Sequence, residues 1–164
     1  MQIEDTASRV SDLLHEFYFN LKAQNITRAS DIRKELKELF DTNQMEDIHL
    51  APYYVSNFAY VLMDINFSEA NKYLEKIEQV KQDLDDQWSY RFHLFKGLHD
   101  ILCNSDFDNA KSNFEFAKQR LDNIDDAIER AEYDYKMAFM YYHLEDTLHS
   151  VQYITKAIDT YRDN

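Results

Sequence analysis

Glu46, Asp47 and His49 are the one cluster in this 164-residue sequence with acid–base potential. Two carboxylates and an imidazole within four positions could hold or pass a proton, which is what general acid–base catalysis asks of side chains. The same residues also suit a plainer role, because negative side chains at a helix start complement the positive end of the helix dipole. We adopt the helix-start reading. His143, Glu145 and His149 straddle a turn, and no two histidines stand four apart with a carboxylate beside them, so no metal site is expected. His93 and His99 read as surface or interface residues, and the lone Cys103, on an apolar helix face, reads as core. Gly97 is the only glycine, which excludes a glycine-rich loop that cradles phosphates. No cofactor is expected.

Charge narrows the partners. The net charge is -13 with a pI near 4.7, which opposes the phosphate backbone of nucleic acid, so direct nucleic-acid binding is not expected. The acidity reads first as a solvated surface that keeps the protein soluble, and second as an attraction for a basic partner. No apolar run approaches the ~18 residues of a membrane span. The opening Met1-Gln2-Ile3-Glu4-Asp5 lacks the basic and apolar regions of a signal peptide, and the cysteine is alone, so a cytoplasmic placement is expected.

The elements that must position these residues repeat. Asn25-Ile26-Thr27-Arg28-Ala29, Asn66-Phe67-Ser68-Glu69-Ala70, Asp106-Phe107-Asp108-Asn109-Ala110 and Asp146-Thr147-Leu148-His149-Ser150 share a pattern: Asn or Asp first, a small residue last. The small residues stand at 29, 70, 110 and 150, in steps of 41, 40 and 40 residues. A fixed period of this size marks stacked supersecondary units, and each copy reads as the tight turn of an αα-hairpin. Behind the turns, Ala110, Phe114 and Ala117 share one helical face, as do Ser150, Ile154 and Ala157. An all-α fold of about eight helices in antiparallel hairpins follows.

Read in order, Thr6 is expected to cap a first helix with Val10, Leu13, Leu14, Phe17, Tyr18 and Leu21 inward. Thr27 is expected to cap a second, with Ala29, Ile32, Leu36, Leu39 and Phe40 inward and Arg33, Lys34, Lys37 and Glu38 outward, a basic island in an acidic chain. A third helix starts between Asp47 and Ala51, since Pro52 is best tolerated in a first turn. Ser68 is expected to cap the fourth, and Asp85-Asp86 leads into the fifth. Three more span about 108–121, 126–144 and 147–161. We divide the chain into a bundle with linker helix, 1–84, and two helical hairpins, 85–164.

The spacing of Gly97, Ala110, Phe114 and Ala117 resembles the tetratricopeptide repeat with one extra residue between Gly97 and Ala110, and Ala138, Ser150, Ile154 and Ala157 match without insertion. The run Asp126-Ala127-Ile128-Glu129-Arg130-Ala131-Glu132-Tyr133-Asp134-Tyr135-Lys136-Met137-Ala138, then Tyr141-Tyr142 and Ala157-Ile158-Asp159-Thr160-Tyr161, resembles the Rap family of response-regulator aspartate phosphatases and inhibitors. Phe95-Lys96-Gly97, Glu16-Phe17-Tyr18 and Met45-Glu46-Asp47 before Tyr53-Tyr54 extend the likeness over nearly the whole chain. The resemblance implies an amino-terminal three-helix bundle that holds a response regulator, with Glu46, Asp47, Leu50 and Phe58 facing it. It also implies a repeat domain that binds a short signalling peptide where the chain continues.

Two departures shape the functional expectation. In the phosphatase members an acidic run is followed by a glutamine that positions water, whereas Glu46-Asp47 is followed here by Ile48-His49. Little or no phosphatase activity is therefore expected, and Gln44 and Glu46 are the only substitutes for a catalytic role. The family also continues with further repeats. The groove residues by alignment are Leu94 and Leu98 in one unit and Tyr135, Phe139 and Tyr142 in the next, and an incomplete stack should self-associate through its carboxy-terminal hairpin. Inhibition of a response regulator by occupancy is the leading reading. The alternative is a generic helical-repeat adaptor, such as a phage- or plasmid-borne decoy, that binds another host protein.

Overall fold

Four times the chain reverses between helices by one device. The computed structural model describes the backbone of residues 2–42 and 47–164 and the side chains of 6–42 and 49–164. Helices α1 (Gln2–Lys22) and α2 (Ile26–Thr42) form the first pair, α3 (Asp47–Met63) and α4 (Phe67–Val80) the second. The third pair is α5 (Asp86–His99) and α6 (Phe107–Leu121), the fourth α7 (Ala127–His143) and α8 (Thr147–Asp163). Between partners, Gln24, Ile65, Ser105 and Glu145 turn left-handed, with φ of 55°, 58°, 50° and 59°. At the first, second and fourth turns the next N–H bonds five residues back, as from Asn66 to the Val61 carbonyl at 2.9 Å, which satisfies a carbonyl the helix end leaves open. The Asn or Asp that follows then caps the new helix.

In the first two hairpins those caps sit two residues before Thr27 and Ser68. Asn66 Oδ1 accepts from the Glu69 N–H at 3.1 Å, Asp106 Oδ1 from Asn109 at 3.1 Å, and Asp146 Oδ1 from His149 at 3.2 Å. Asn25 does the same more loosely, at 3.4 Å from the Arg28 N–H. The expectation that Thr27 and Ser68 cap their helices is thus corrected: the Asx side chain reaches three residues ahead and places both inside the first turn. Thr6 caps no helix either, because α1 already starts at Gln2. Ala29, Ala70 and Ala110 are fully buried, as close helix approach requires. Ser150 keeps a hydroxyl there by donating it to the Ala138 carbonyl at 3.0 Å.

The extra residue between Gly97 and Ala110 has a structural home. Asp100–Asn104 form a π-helical turn, and the Asp106 N–H bonds the Asp100 carbonyl, six residues back rather than five, at 2.9 Å. One residue is absorbed without disturbing the hairpin.

None of the four left-handed positions is a glycine, and Ile65 is β-branched, which makes it the most strained of them. Its side chain is 71% exposed and buries little in return. Ile65→Gly should therefore raise stability by roughly 1 kcal/mol, read as a higher denaturant midpoint at unchanged slope. A lower midpoint would show that the isoleucine side chain contributes more than its backbone costs.

Helices pack into two units, Met1–Leu84 and Asp85–Asn164. In the first, α1 packs on both α2 and α3, and α3 on α4. Its core is built on Phe17 and Tyr18 of α1, Ile32 and Leu36 of α2, Phe58 and Leu62 of α3 and Ile77 of α4, each side chain at most 1% exposed. In the second, α5 pairs with α6 and α7 with α8, and a continuous core runs through Tyr90, Leu94, Phe114, Tyr133 and Met140. No strand occurs among the described residues. Fold class is as expected: antiparallel helical hairpins, as the repeat spacing implies, with a three-helix bundle first and tetratricopeptide-like repeats after it, as the resemblance implies.

Candidate functional site

The acid–base cluster is only partly visible. Gln44 and Glu46 lie outside the described residues, and so do the side chains of Asp47 and Ile48. Leu50 is half-buried on α3 and lines a cleft. Phe58, expected on the partner-facing surface, is fully buried. That expectation is corrected: Phe58 lies on the face of α3 that makes the bundle core.

The cleft is formed by α2, α3 and α4 and holds about 560 Å³. The basic island of α2 supplies Arg33, Lys34 and Lys37 to it, and Lys76 faces them from α4. Arg33 is pinned: its Nε donates to Asn57 Oδ1 at 2.7 Å, and its Nη2 to Glu69 Oε1 at 2.9 Å and to the Tyr73 hydroxyl at 3.4 Å. The guanidinium also stacks over Tyr60, 4.8 Å from the ring centre. Aromatic rings make the wall, with Phe40 stacked on Tyr53 at 4.1 Å, Tyr53 beside Tyr54 at 5.8 Å and Tyr54 beside Tyr73 at 6.4 Å. The sequence signals Arg33, Lys34 and Lys37 as a charged face but not Tyr53, Tyr54, Tyr73 or Lys76 as their companions.

Burial, aided by neighbouring Tyr73, pushes the Tyr53 phenol up to about 12, and burial first of all pushes Tyr133 and Tyr161 upward as well. A raised phenol binds its proton more tightly folded than unfolded, so its stabilisation is whole below the ordinary value near 10 and is lost as pH rises through the folded value. The melting temperature should therefore fall between pH 10 and 12, less steeply in Tyr53→Phe. A midpoint flat to pH 12 would show that these phenols ionise as freely in the fold as outside it.

In the second unit the expected groove divides. Leu94 is fully buried and Leu98 is 9% exposed, so both belong to the core rather than to a groove. The correction has a simple cause: α5 is apolar nearly all round, with Trp88, Tyr90, Phe92, Leu94, Phe95 and Leu98 all buried, and periodicity cannot single out an open face on such a helix. Tyr135 and Tyr142 are exposed, whereas Phe139 is half-buried against the core with its ring 4.4 Å from that of His143. His99, read as a surface or interface residue, is buried beside Asp100. Burial alone would raise the Asp100 carboxyl, but the neighbouring His99 and the Lys96 ammonium outweigh it and hold the group below its ordinary value. Cys103 is half-buried, and burial raises its thiol.

The run 126–138 turns out to be a buried charge network. Asp126 Oδ1 caps α7, accepting from the Ile128 and Glu129 N–H groups at 2.9 and 3.2 Å. Glu129 is fully buried with its Oε1 3.6 Å from Nη2 of the buried Arg91, while its carbonyl accepts from the Tyr90 hydroxyl at 2.8 Å. Glu132 accepts from the Tyr161 hydroxyl at 2.5 Å and pairs with Lys136 at 3.3 Å. Asp134 faces Lys156 of α8 at 3.3 Å, yet burial outweighs that lysine and leaves its carboxyl raised. These residues tie α5, α7 and α8 together. Their role in the fold explains their spacing without any catalytic duty.

No protein-family model matches the chain. Individual proteins do. Response regulator aspartate phosphatase E of Bacillus subtilis (strain 168) is 26% identical over 167 residues, which cover 98% of this chain and 44% of that protein. Response regulator aspartate phosphatase H is 28% identical over 96% of the chain, and the regulatory protein RapG 24% over 95%, both from the same organism. Among solved structures, a Rap protein complexed with competence and sporulation factor superposes with a TM-score of 0.83, over 95% of this chain and 44% of that one. The apo form of RapI superposes with 0.82, over 94% and 44%. Both are 24% identical to this chain and show the fold. The chain spans less than half the length of the curated relatives it matches, and over that span its sequence resembles those of Rap proteins and its fold is that of the two Rap structures.

Proposed function

We propose that this chain is a Rap-like regulatory protein that binds a bacterial response regulator through residues 1–84 and restrains it by occupancy, without removing its phosphoryl group. The observation that carries the reading is likeness along nearly the whole chain to proteins named response regulator aspartate phosphatases and Rap regulatory proteins. Ile48 supports the second half, because it stands where the phosphatase pattern needs a glutamine to position water. Glu46, Asp47 and Leu50 are the partner-facing residues in this reading, and the site of action is the cytoplasm. A short peptide would be a further ligand of the 85–164 repeats where the chain continues.

The test uses purified receiver proteins carrying an aspartyl phosphate. Stoichiometric complex formation by calorimetry, with the rate of phosphate loss unchanged at substoichiometric chain, is the expected pair of results. Catalytic turnover would overturn occupancy, and Gln44→Ala would then identify or exclude the substitute glutamine. Absence of any complex with receivers or their output domains would favour the adaptor reading.

One observation favours a second contact. Tyr142, Leu148, Val151 and Ile158 are 69%, 66%, 54% and 49% exposed on α7 and α8. Apolar area is worth ~25 cal/mol per Å² when removed from water, so a patch of a few hundred Å² drives association. We expect the 164-residue chain to self-associate through this hairpin, and Val151→Asp to shift light scattering toward monomer. A strict monomer at high concentration would remove that expectation. Val151 is a cleaner probe than Phe139, which also supports the core.

A further inference from the structure

We propose that the cleft between α2, α3 and α4 is a binding site for an acidic peptide segment of a partner protein, one that alternates carboxylates with aromatic or aliphatic side chains. The inference does not rest on the response-regulator reading.

Charge comes first. In a chain of net charge -13, this cleft gathers, among the described residues, four cations, Arg33, Lys34, Lys37 and Lys76, against two carboxylates, Asp41 and Glu69. A cation-rich cleft walled by protein focuses its field outward and attracts anions even where the molecule as a whole repels them. The cations are not equally engaged. Arg33 is held by Glu69 and Asn57, and Lys37 pairs with Asp41 at 3.3 Å. Lys34 reaches only a long contact of 3.8 Å with Asp31 and stays 73% exposed. Lys76 makes no ion pair among the described residues; its ammonium lies 5.4 Å from the centre of the Tyr54 ring and 5.3 Å from that of Tyr73. Lys34 and Lys76 are therefore the charges left for a ligand.

The aromatic wall sets the rest of the chemistry. Phe40, Tyr53, Tyr54 and Tyr73 line the cleft, each half-buried, so that they offer apolar ring surface against which an apolar side chain can pack, and Arg33 fixes the end of that wall through the Tyr73 hydroxyl. The Tyr53 hydroxyl keeps its proton over the physiological range and can donate to an anion. A volume of about 560 Å³ falls within the range of ligand clefts. A polyphosphate or nucleic acid would meet Asp41, Glu69 and the overall negative field, and the only guanidinium fork among the described cleft residues is already committed to Glu69. Single, spaced carboxylates suit two separate ammonium groups better. Rings between those ammonium groups call for apolar side chains between the carboxylates.

The test is fluorescence anisotropy on the 164-residue chain with a fluorescein-labelled octapeptide of alternating glutamate and phenylalanine. Its counterpart with lysine for glutamate is the charge control. The acidic peptide should bind at least tenfold more tightly than the basic one, with affinity falling as salt rises. Lys34→Glu combined with Lys76→Glu should weaken it at least tenfold at unchanged melting temperature, whereas Lys111→Glu, on an exposed face of α6, should leave it within twofold. Lys76→Gln offers a milder variant with the same direction. No binding, equal binding of the two peptides, or equal loss in Lys111→Glu would overturn the proposal. Displacement of the peptide by inorganic phosphate at equal charge concentration would also overturn it, by showing a plain anion site with no use for the aromatic wall.

Discussion

Glu129→Leu is expected to destabilise the second unit by about 3–5 kcal/mol, because it removes the carboxylate that faces the buried Arg91. The side chains of Arg91 and Glu129 are 5% and 0% exposed, so water cannot take over the lost partner as it would at a surface pair. Replacing both residues, with Arg91→Leu added, should cost less than either change alone, since an apolar pair of similar volume carries no charge that needs compensation. Trp88 reports the outcome directly. It is the only tryptophan in the chain, it is buried on α5, and the Arg91 guanidinium lies 4.4 Å from its ring centre. Urea unfolding followed by its fluorescence gives all four corners of the cycle. Additive single and double effects would show that the pair contributes through packing and not through charge.

This pair also marks what could be read from the sequence and what could not. The motif 126–138 was legible as a family likeness, but nothing in one sequence tells that Glu129, Glu132 and Asp134 are all buried; acidic residues three and two apart on a helix read as a solvated face. The hairpin turns were legible because Asn25, Asn66, Asp106 and Asp146 begin each copy, and an Asx side chain there acts locally, as an N-cap. Its bonding was not legible, since Thr27 and Ser68 are equally good capping types two positions on. The π-helical turn at Asp100–Asn104 left a trace as the one-residue surplus before Ala110, though the surplus alone could equally have been a longer loop. The α2–α4 cleft left least trace. Its cations and rings come from positions between 33 and 76 on three helices, and only the fold brings them to one wall.

Gly97→Ala should change sign with its neighbour. An alanine in the last turn of α5 would ordinarily gain about 1 kcal/mol of helix propensity over glycine. Here a Cβ on Gly97 would lie 2.9, 3.0 and 3.1 Å from three carbons of the Phe114 ring, closer than side chains approach one another. That ring is 1% exposed within the second core and has nowhere to swing, so overpacking of about 1–3 kcal/mol offsets or exceeds the propensity gain. Phe114→Ala alone opens a cavity and should cost about 3–5 kcal/mol. In that background the obstacle to a Cβ at 97 is gone, and Gly97→Ala should recover about 1 kcal/mol. The measured quantity is the interaction term between the two sites from chemical denaturation, expected to favour the double variant. If Gly97→Ala has the same effect with and without the Phe114 ring, the glycine is not there for close approach. The tetratricopeptide-like spacing of Gly97, Ala110, Phe114 and Ala117 would then need another physical cause.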